Sequence, residues 1–350
     1  MKVSIAHDYL LQFGGAERVV AAWSRRFAES PIYSLAYAES RTFEIFGQRR
    51  IHSRLNNRFV SDNIEYLLPM LPRLAKQVKV EGDVALISTS GWAHQFDFEM
   101  PTVAYVHSPA RWLYAQEDYS KQLGTLGRLG LAASARYLRA MDIPAMRKID
   151  TLVANSRVSQ ARIRAAYGID SEIIHPPVEP VLSDAIKPSA ALPEEFALVV
   201  SRNRGYKNSK LAIESSAAAG ITCVVVGSGT ESYDEKASGV IGLGRVTDGE
   251  LKWLYQNASV LVGSAHEDFG LTVLEANIEG TPVAAIPYGG YLETVSHGVS
   301  GYLAAEETTS ALSVAIREAR TLPSAGCAEW AERFSIDAHM ESLMAVLQNA

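Results

Sequence analysis

Glu267 and Glu275 are the two carboxylates whose spacing most invites chemistry, in the run Ser264-Ala265-His266-Glu267-Asp268-Phe269-Gly270-Leu271-Thr272-Val273-Leu274-Glu275-Ala276. Paired acids eight residues apart are most often solvated helix charges. Here residues 258–263 before them read as a short buried strand, and Leu271, Leu274 and Ile278 after them as a helix beginning near Phe269-Gly270. Glu267 is then expected on a strand-to-helix loop and Glu275 a little over one turn into the helix. At the C-terminal edge of a parallel sheet such a loop faces the ligand crevice. The amides of Phe269, Gly270 and Leu271 point out of the helix start, an arrangement suited to phosphate. A carboxylate only accepts hydrogen bonds, so each glutamate suits a vicinal diol. Hydroxyls at both ends with phosphate between describe a sugar nucleotide.

The elements that must hold these groups follow a parallel α/β pattern. Strands are predicted over 3–6, 31–37, 83–90, 102–106 and 151–156, then over 196–201, 221–226, 240–246, 282–287 and 301–303. Gly14-Gly15 follows the first strand and opens a helix carrying Val19, Val20 and Trp23, with Glu17 and Arg18 read only as helix-start residues. A lone glycine pair is more often just a turn. Residues 41–79 are mixed basic and apolar, and Leu67, Leu68, Met70, Leu71 and Leu74 predict a helix. The strand over 83–90 ends in small polar residues, as befits an active-site edge. His107 leaves the strand at 102–106, where pattern alone favours a satisfied structural histidine. Arg202 and Lys207 lie on the loop after 196–201, where two cations usually face solvent. Thr247 with Glu250 predicts a capping box. Prolines at 176, 177, 180, 188 and 193 punctuate a connector between two halves.

At 350 residues the chain accommodates two domains, and 47% apolar with 21% charged residues is ordinary globular composition. Cys223 and Cys327 provide neither metal spacing nor a disulfide framework, which predicts a reducing, cytoplasmic setting. The start is too soon polar for a signal peptide, and no apolar run approaches the ~20 residues of a membrane span. The net charge of −6 divides into +4 over residues 1–180 and −10 beyond, a balance that argues against nucleic-acid binding. Residues 121–148 hold Lys121, Arg128, Arg136, Arg139, Arg147 and Lys148 against Asp142 alone, interleaved with leucines. This reads either as a basic amphipathic surface for anionic membrane or as a packed helix with a solvated basic face.

The run from Glu267 to Glu275, followed by Gly280-Thr281-Pro282-Val283, resembles the E-x7-E signature of retaining GT-B glycosyltransferases of family 4. His107-Ser108-Pro109-Ala110-Arg111-Trp112-Leu113-Tyr114 resembles a segment of members that build bacterial surface polysaccharides, many of them mannosyltransferases. The resemblance covers essentially the whole chain. It implies two Rossmann-like parallel-sheet domains facing across a cleft: an acceptor domain over 1–178, a nucleotide-sugar donor domain over 179–335, and a helix over 336–350 packing back toward the first. It implies sugar transfer from a nucleotide diphosphate to an acceptor hydroxyl of a glycan or glycolipid, with retained anomeric configuration and no metal or cofactor. Asp97-Phe98-Glu99, the nearest thing to a metal-binding Asp-x-Asp, reads as a surface turn. GDP-mannose is the donor the 107–114 segment favours, and UDP-sugars come next.

By the same resemblance Arg202 and Lys207 grip the diphosphate, Glu267 orients the donor sugar and His107 faces it. Gly14 and Gly15 form a phosphate-proximal loop. Gly227 lies in the turn beneath the nucleotide. Arg245 and Val246 pass the base and diphosphate, Asp268, Phe269, Gly270, Leu271 and Thr272 form the helix mouth, and Glu275 takes the ribose. Arg111, Trp112 and Tyr114 shape the acceptor side. The family loop G-R-x-x-x-x-K-G has Ser201 in place of its first glycine and Asn208 in place of its last. A sugar-nucleotide epimerase and a non-catalytic sugar-nucleotide-binding protein are the competing readings. A Rossmann dehydrogenase fails because Ser232 stands where the third fingerprint glycine belongs.

Overall fold

Runs of valine, isoleucine and leucine bounded by glycine or small polar residues form the strands of two parallel sheets. The computed structural model describes residues 1–55, 70–114, 125–201, 208–233 and 239–350, with backbone alone over 125–133. The chain divides into one unit of residues 1–177 with 339–350 and a second of residues 178–338.

The first unit carries β1 (Val3–Leu10), β2 (Ile32–Tyr37), β3 (Ile51–Leu55), β4 (Lys79–Val80), β5 (Val84–Thr89), β6 (Asp97–Phe98), β7 (Thr102–Val106), β8 (Thr151–Ala154) and β9 (Glu172–Ile173). Its main sheet has the order β3-β2-β1-β5-β7-β8-β9, with every pair parallel. Strand order reverses between β1 and β5, so the loops leaving their C-terminal ends flank the crevice of a doubly wound sheet. Ile5, Ala6, Leu86, Ile87, Val103 and Ala104 are fully buried, as strands covered on both faces require.

The second unit carries β10 (Phe196–Val200), β11 (Thr222–Val226), β12 (Val240–Gly244), β13 (Val260–Gly263), β14 (Val283–Ala285) and β15 (Gly301–Leu303). They form one parallel sheet in the order β12-β11-β10-β13-β14-β15. The reversal lies between β10 and β13. The loops after these two strands are therefore neighbours at the C-terminal edge of the sheet.

Several expectations need correction. β3 was not foreseen, because His52 and Arg54 leave it only half-buried at the sheet edge. Asp97-Phe98 is not a turn: β6 pairs with β4, and Lys79 Nζ lies 3.5 Å from Glu99 Oε1. The helix read over 67–74 is described only as the helix Leu71–Ala75, and Leu67 and Leu68 lie outside the described residues. The apolar tail forms two helices, Ser324–Glu332 and Ile336–Asn349, separated at Phe334-Ser335. Within the first unit, His339 accepts a hydrogen bond from Trp23 Nε1 at 2.9 Å and donates from Nδ1 to the carbonyl of His175 at 2.7 Å. Among the described residues no helix is long and apolar enough to cross a membrane.

Candidate functional site

In the second unit the loop after β13 carries Glu267 and leads into the helix Leu271–Ile278. Gly270, the residue before that helix, has φ +89, and a Cβ there would lie 2.8 Å from the Tyr291 ring. Only glycine takes this conformation in this space without strain. Gly290 permits a second close approach. A Cβ on it would fall 2.1 Å from Phe269 Cα, while its N–H donates to the Glu267 carbonyl at 3.0 Å. Phe269 anchors the loop from below, with its ring 5.8 Å from that of Phe334 in a cluster with Val178 and Leu274. The loop's shape is thus set by packing from two sides.

Glu267, Asp268, Leu271 and Thr272 are partly exposed at this mouth, whereas Glu275 is 8% exposed. Glu275 Oε2 accepts a hydrogen bond from Tyr255 Oη at 2.8 Å. Tyr255 comes from the helix Asp248–Asn257, whose Thr247–Glu250 capping box forms as expected. Burial, with the Glu267 charge adding, pushes the Tyr291 phenol well above its ordinary range.

Arg202 and Lys207 lie outside the described residues; their flanks do not. Asn208 has φ +48, so the position where the resembling family has glycine is left-handed here, and asparagine is among the few side chains that tolerate it. The Asn208 carbonyl accepts from Ser264 Oγ at 3.1 Å, and its Nδ2 donates to Glu307 Oε1 at 3.1 Å. Glu307 also meets His266 Nε2 at 2.9 Å, and the His266 ring stacks on Tyr288 at 4.1 Å. The exit of the 202–207 segment is thereby tied to the Glu267 loop. On the other side of the sheet, Gly227 (φ +133) donates to the Gly244 carbonyl at 2.7 Å, and Arg245 Nε donates to Ser228 Oγ at 2.5 Å. Arg245 and Val246 lie just beyond β12 rather than within it.

In the first unit Gly14 precedes the helix Gly15–Arg26, and a Cβ on Gly14 would meet Glu17 Oε2 at 2.3 Å. Glu17 is no ordinary helix-start acid. It is buried, accepts from Gln12 Nε2 at 3.0 Å, and places Oε1 3.7 Å from Nε2 of buried His7. His7 Nδ1 lies 2.9 Å from Ser88 Oγ and 3.2 Å from the Ser88 carbonyl, and Ser88 Oγ lies 2.8 Å from His107 Nε2. Next to His7, buried Asp8 accepts from the N–H groups of Ser90 (2.6 Å), Trp92 (2.8 Å) and Ala93 (2.7 Å), which fixes the loop after β5.

Burial, then the charge of His7, push the His107 imidazole down to about 3. Burial also lowers His7, but the facing Glu17 carboxylate outweighs it and the net direction is up. Tyr114, expected near an acceptor, donates to Asp142 Oδ2 at 2.7 Å, and Asp142 lies 2.9 Å from His94 Nε2. In the basic 121–148 segment the described cations Arg136, Arg139, Arg147 and Lys148 are all exposed, and two of them are tied to the backbone: Arg139 donates to the Leu113 carbonyl at 2.7 Å and Arg147 to that of Tyr167.

The predicted site residues thus fall into two groups. Gly14, Gly15 and His107 lie at the switch-point edge of the first sheet, or one strand from it. Gly227, Arg245, Val246, Glu267, Asp268, Phe269, Gly270, Leu271, Thr272 and Glu275 lie along the C-terminal edge of the second. Sequence reasoning passed over His7, Glu17 and Ser88; the signal available was a His-Asp pair inside an otherwise apolar first strand.

Residues 13–181 match the family described as Glycosyltransferase Family 4, and residues 184–335 match Glycosyl transferases group 1. Among curated proteins, an uncharacterized glycosyltransferase of Methanocaldococcus jannaschii is 44% identical over 63 residues, 18% of this chain and 16% of that protein. A D-inositol 3-phosphate glycosyltransferase of Geodermatophilus obscurus is 41% identical over 95 residues, 26% of this chain and 21% of that protein. These alignments therefore span about a fifth or less of the relatives' length. Among solved structures, HepE of Anabaena in complex with UDP and glucose superposes with TM-score 0.71 at 18% identity, covering 100% of both chains.

Proposed function

We propose a function from one premise: the chain belongs to the glycosyltransferases of GT-B fold, its two halves matching the two domain families in order. It moves a sugar from a nucleotide diphosphate donor to an acceptor hydroxyl of a glycan or glycolipid, with retention at the anomeric carbon. One observation carries this reading. At the strand-order reversal of the second sheet, the loop bearing Glu267 is hydrogen-bonded to Asn208, the exit of the segment bearing Arg202 and Lys207.

The chemistry follows from where charge develops. As the glycosidic bond breaks, negative charge grows on the leaving diphosphate. Arg202 and Lys207 stabilise it, and the amides at the mouth of the helix Leu271–Ile278, fixed before the reaction begins, add their dipoles. Glu267 orients the donor sugar and Glu275 the ribose, each accepting hydroxyl hydrogens. The reaction needs no metal or other cofactor, so EDTA leaves turnover unchanged.

For the donor we propose GDP-mannose, supported by the 107–114 segment; the UDP and glucose in the Anabaena complex make UDP-glucose the first competitor. A membrane-held acceptor would meet the basic face over 121–148. The test is a panel of GDP-, UDP-, ADP- and dTDP-sugars. A matched donor at ~100 times its Kd stabilises the fold by roughly 2.7 kcal/mol, and the product made from it keeps the donor's anomeric configuration. If no activated sugar raises the melting temperature or is consumed, the reading fails. Epimerisation of a donor without any acceptor would establish the epimerase reading in its place.

A further inference from the structure

We propose that Glu17, His7 and Ser88 form a positioning chain that holds His107 as the neutral Nδ1–H tautomer, so that it presents an N–H donor, not a base, to a hydroxyl of the donor sugar. The role toward the sugar rests on the function proposed above; the tautomer does not.

The direction of every proton in the chain is forced by one atom that can only accept. The Ser88 carbonyl lies 3.2 Å from His7 Nδ1, so that nitrogen carries hydrogen; its lone pair there would face the oxygen's own. His7 Nδ1–H is therefore shared between the Ser88 carbonyl and Ser88 Oγ, the latter at 2.9 Å. The Ser88 hydroxyl, accepting from His7, turns its single hydrogen toward His107 Nε2 at 2.8 Å. His107 Nε2 is thus the unprotonated nitrogen, and the ring's hydrogen lies on Nδ1. No hydrogen bond from the described residues occupies His107 Nδ1.

The other end of the chain supplies the charge. His7 Nε2 and Glu17 Oε2 are both buried without a hydrogen-bond partner among the described residues, and Nε2 faces Glu17 Oε1 at 3.7 Å. A lone pair facing a buried carboxylate is repulsive, whereas an imidazolium N–H is attractive, so His7 is held as a cation. Every charged or titratable neighbour of His107 then acts in a known direction. The His7 cation and His339 oppose its protonation, while the Asp8 carboxylate favours it but is already committed to the amides of the β5 loop. Tyr105 packs edge-on against the ring at 5.2 Å, and Ser159 Oγ donates to the His107 carbonyl at 2.7 Å, so the ring is oriented as well as charge-set. Gly14 belongs to the same device, since any side chain there would displace the Glu17 carboxylate.

The test is long-range 1H–15N correlation on the full chain labelled with 15N-histidine, from about pH 5.5 to about pH 8, the range in which an ordinary imidazole titrates. The expected result is a His107 spectrum with Nδ1 protonated and Nε2 bare, constant across the range, beside a His7 with both nitrogens protonated at the acid end. A His107 proton on Nε2, or a His107 that titrates near pH 6.5, overturns the proposal. Ser88→Ala supplies the second measurement: His107 loses its single tautomer, and kcat/KM with GDP-mannose or UDP-glucose falls about tenfold, the worth of one well-placed hydrogen bond. An active Ser88→Ala enzyme with unchanged kcat/KM overturns the positioning role. A fixed Nδ1–H tautomer in a protein that binds neither sugar nucleotide supports the chain and overturns the functional reading instead.

Discussion

Glu275 shows how one side chain can be legible in role and illegible in setting. Its spacing from Glu267 puts it on the helix after the loop, but its burial and its bond from Tyr255 depend on a helix 20 residues earlier in the chain. Under the proposed function Glu275→Gln removes one acceptor for the ribose, so we expect the donor KM to rise by about tenfold with little change in kcat. Arg202→Ala removes charge that acts only as the bond breaks, and kcat should fall by about 10²–10³. Steady-state kinetics that find the two substitutions alike, or both silent, would refute the assignment. Asn208 is a further case: a substitution for a family glycine that looks disruptive in sequence adopts the left-handed backbone that glycine would.

At the scale of elements, the loop between β13 and its helix is the feature most exposed to a single change. Gly270→Ala asks an L-residue to take φ +89 with its Cβ 2.8 Å from the Tyr291 ring. The backbone penalty and the crowding together should cost roughly 1–3 kcal/mol. We expect a lower melting temperature and, because the helix mouth shifts, a loss of stabilisation by the donor that exceeds the loss of stability. Calorimetry with and without GDP-mannose separates the two; an unchanged melting temperature would mean that the loop absorbs the side chain freely. The element pattern was largely legible because buried parallel strands are short apolar runs with polar ends. β3 was missed because an edge strand buries only part of its surface, and the helix break at Ser335 because a serine whose Oγ accepts from the Ala338 N–H at 3.3 Å reads as an ordinary polar residue until the helix after it is seen.

For the molecule as a whole, the buried histidines tie stability to pH. An unfolded histidine takes up its proton near pH 6.5. In the fold His107 stays neutral down to about 3 and His339 down to about 4, both chiefly through burial. Between pH 6.5 and about 4 the unfolded chain thus binds up to two more protons at these positions, and stability falls as pH falls. His7 has the opposite sign: its contribution is complete below 6.5 and lost as pH rises through its raised folded value. The His94-paired Asp142, depressed despite its burial, adds a further loss only below its unfolded value of 3.8. His339→Gln should therefore flatten the acid limb by about one proton, near 1.4 kcal/mol per pH unit, whatever it does to stability at neutral pH. Urea unfolding followed by tryptophan fluorescence between pH 4.5 and about 6.5 checks this, and equal slopes would sink it.

The amino-acid sequence alone determined the two parallel sheets, the position of the Glu267 loop and helix, and the capping box at Thr247, because each rests on local periodicity and on residues a few positions apart. It also carried the family, through motifs whose spacing survives in one dimension. Only the tertiary structure decided that Glu17, His7, Ser88 and His107 stand in one line, since 81 residues separate His7 from Ser88 and pairing across a parallel sheet leaves no local trace. It likewise decided which glycines are indispensable, because that depends on what lies within a few ångströms of a missing Cβ, and no neighbour in sequence reports it.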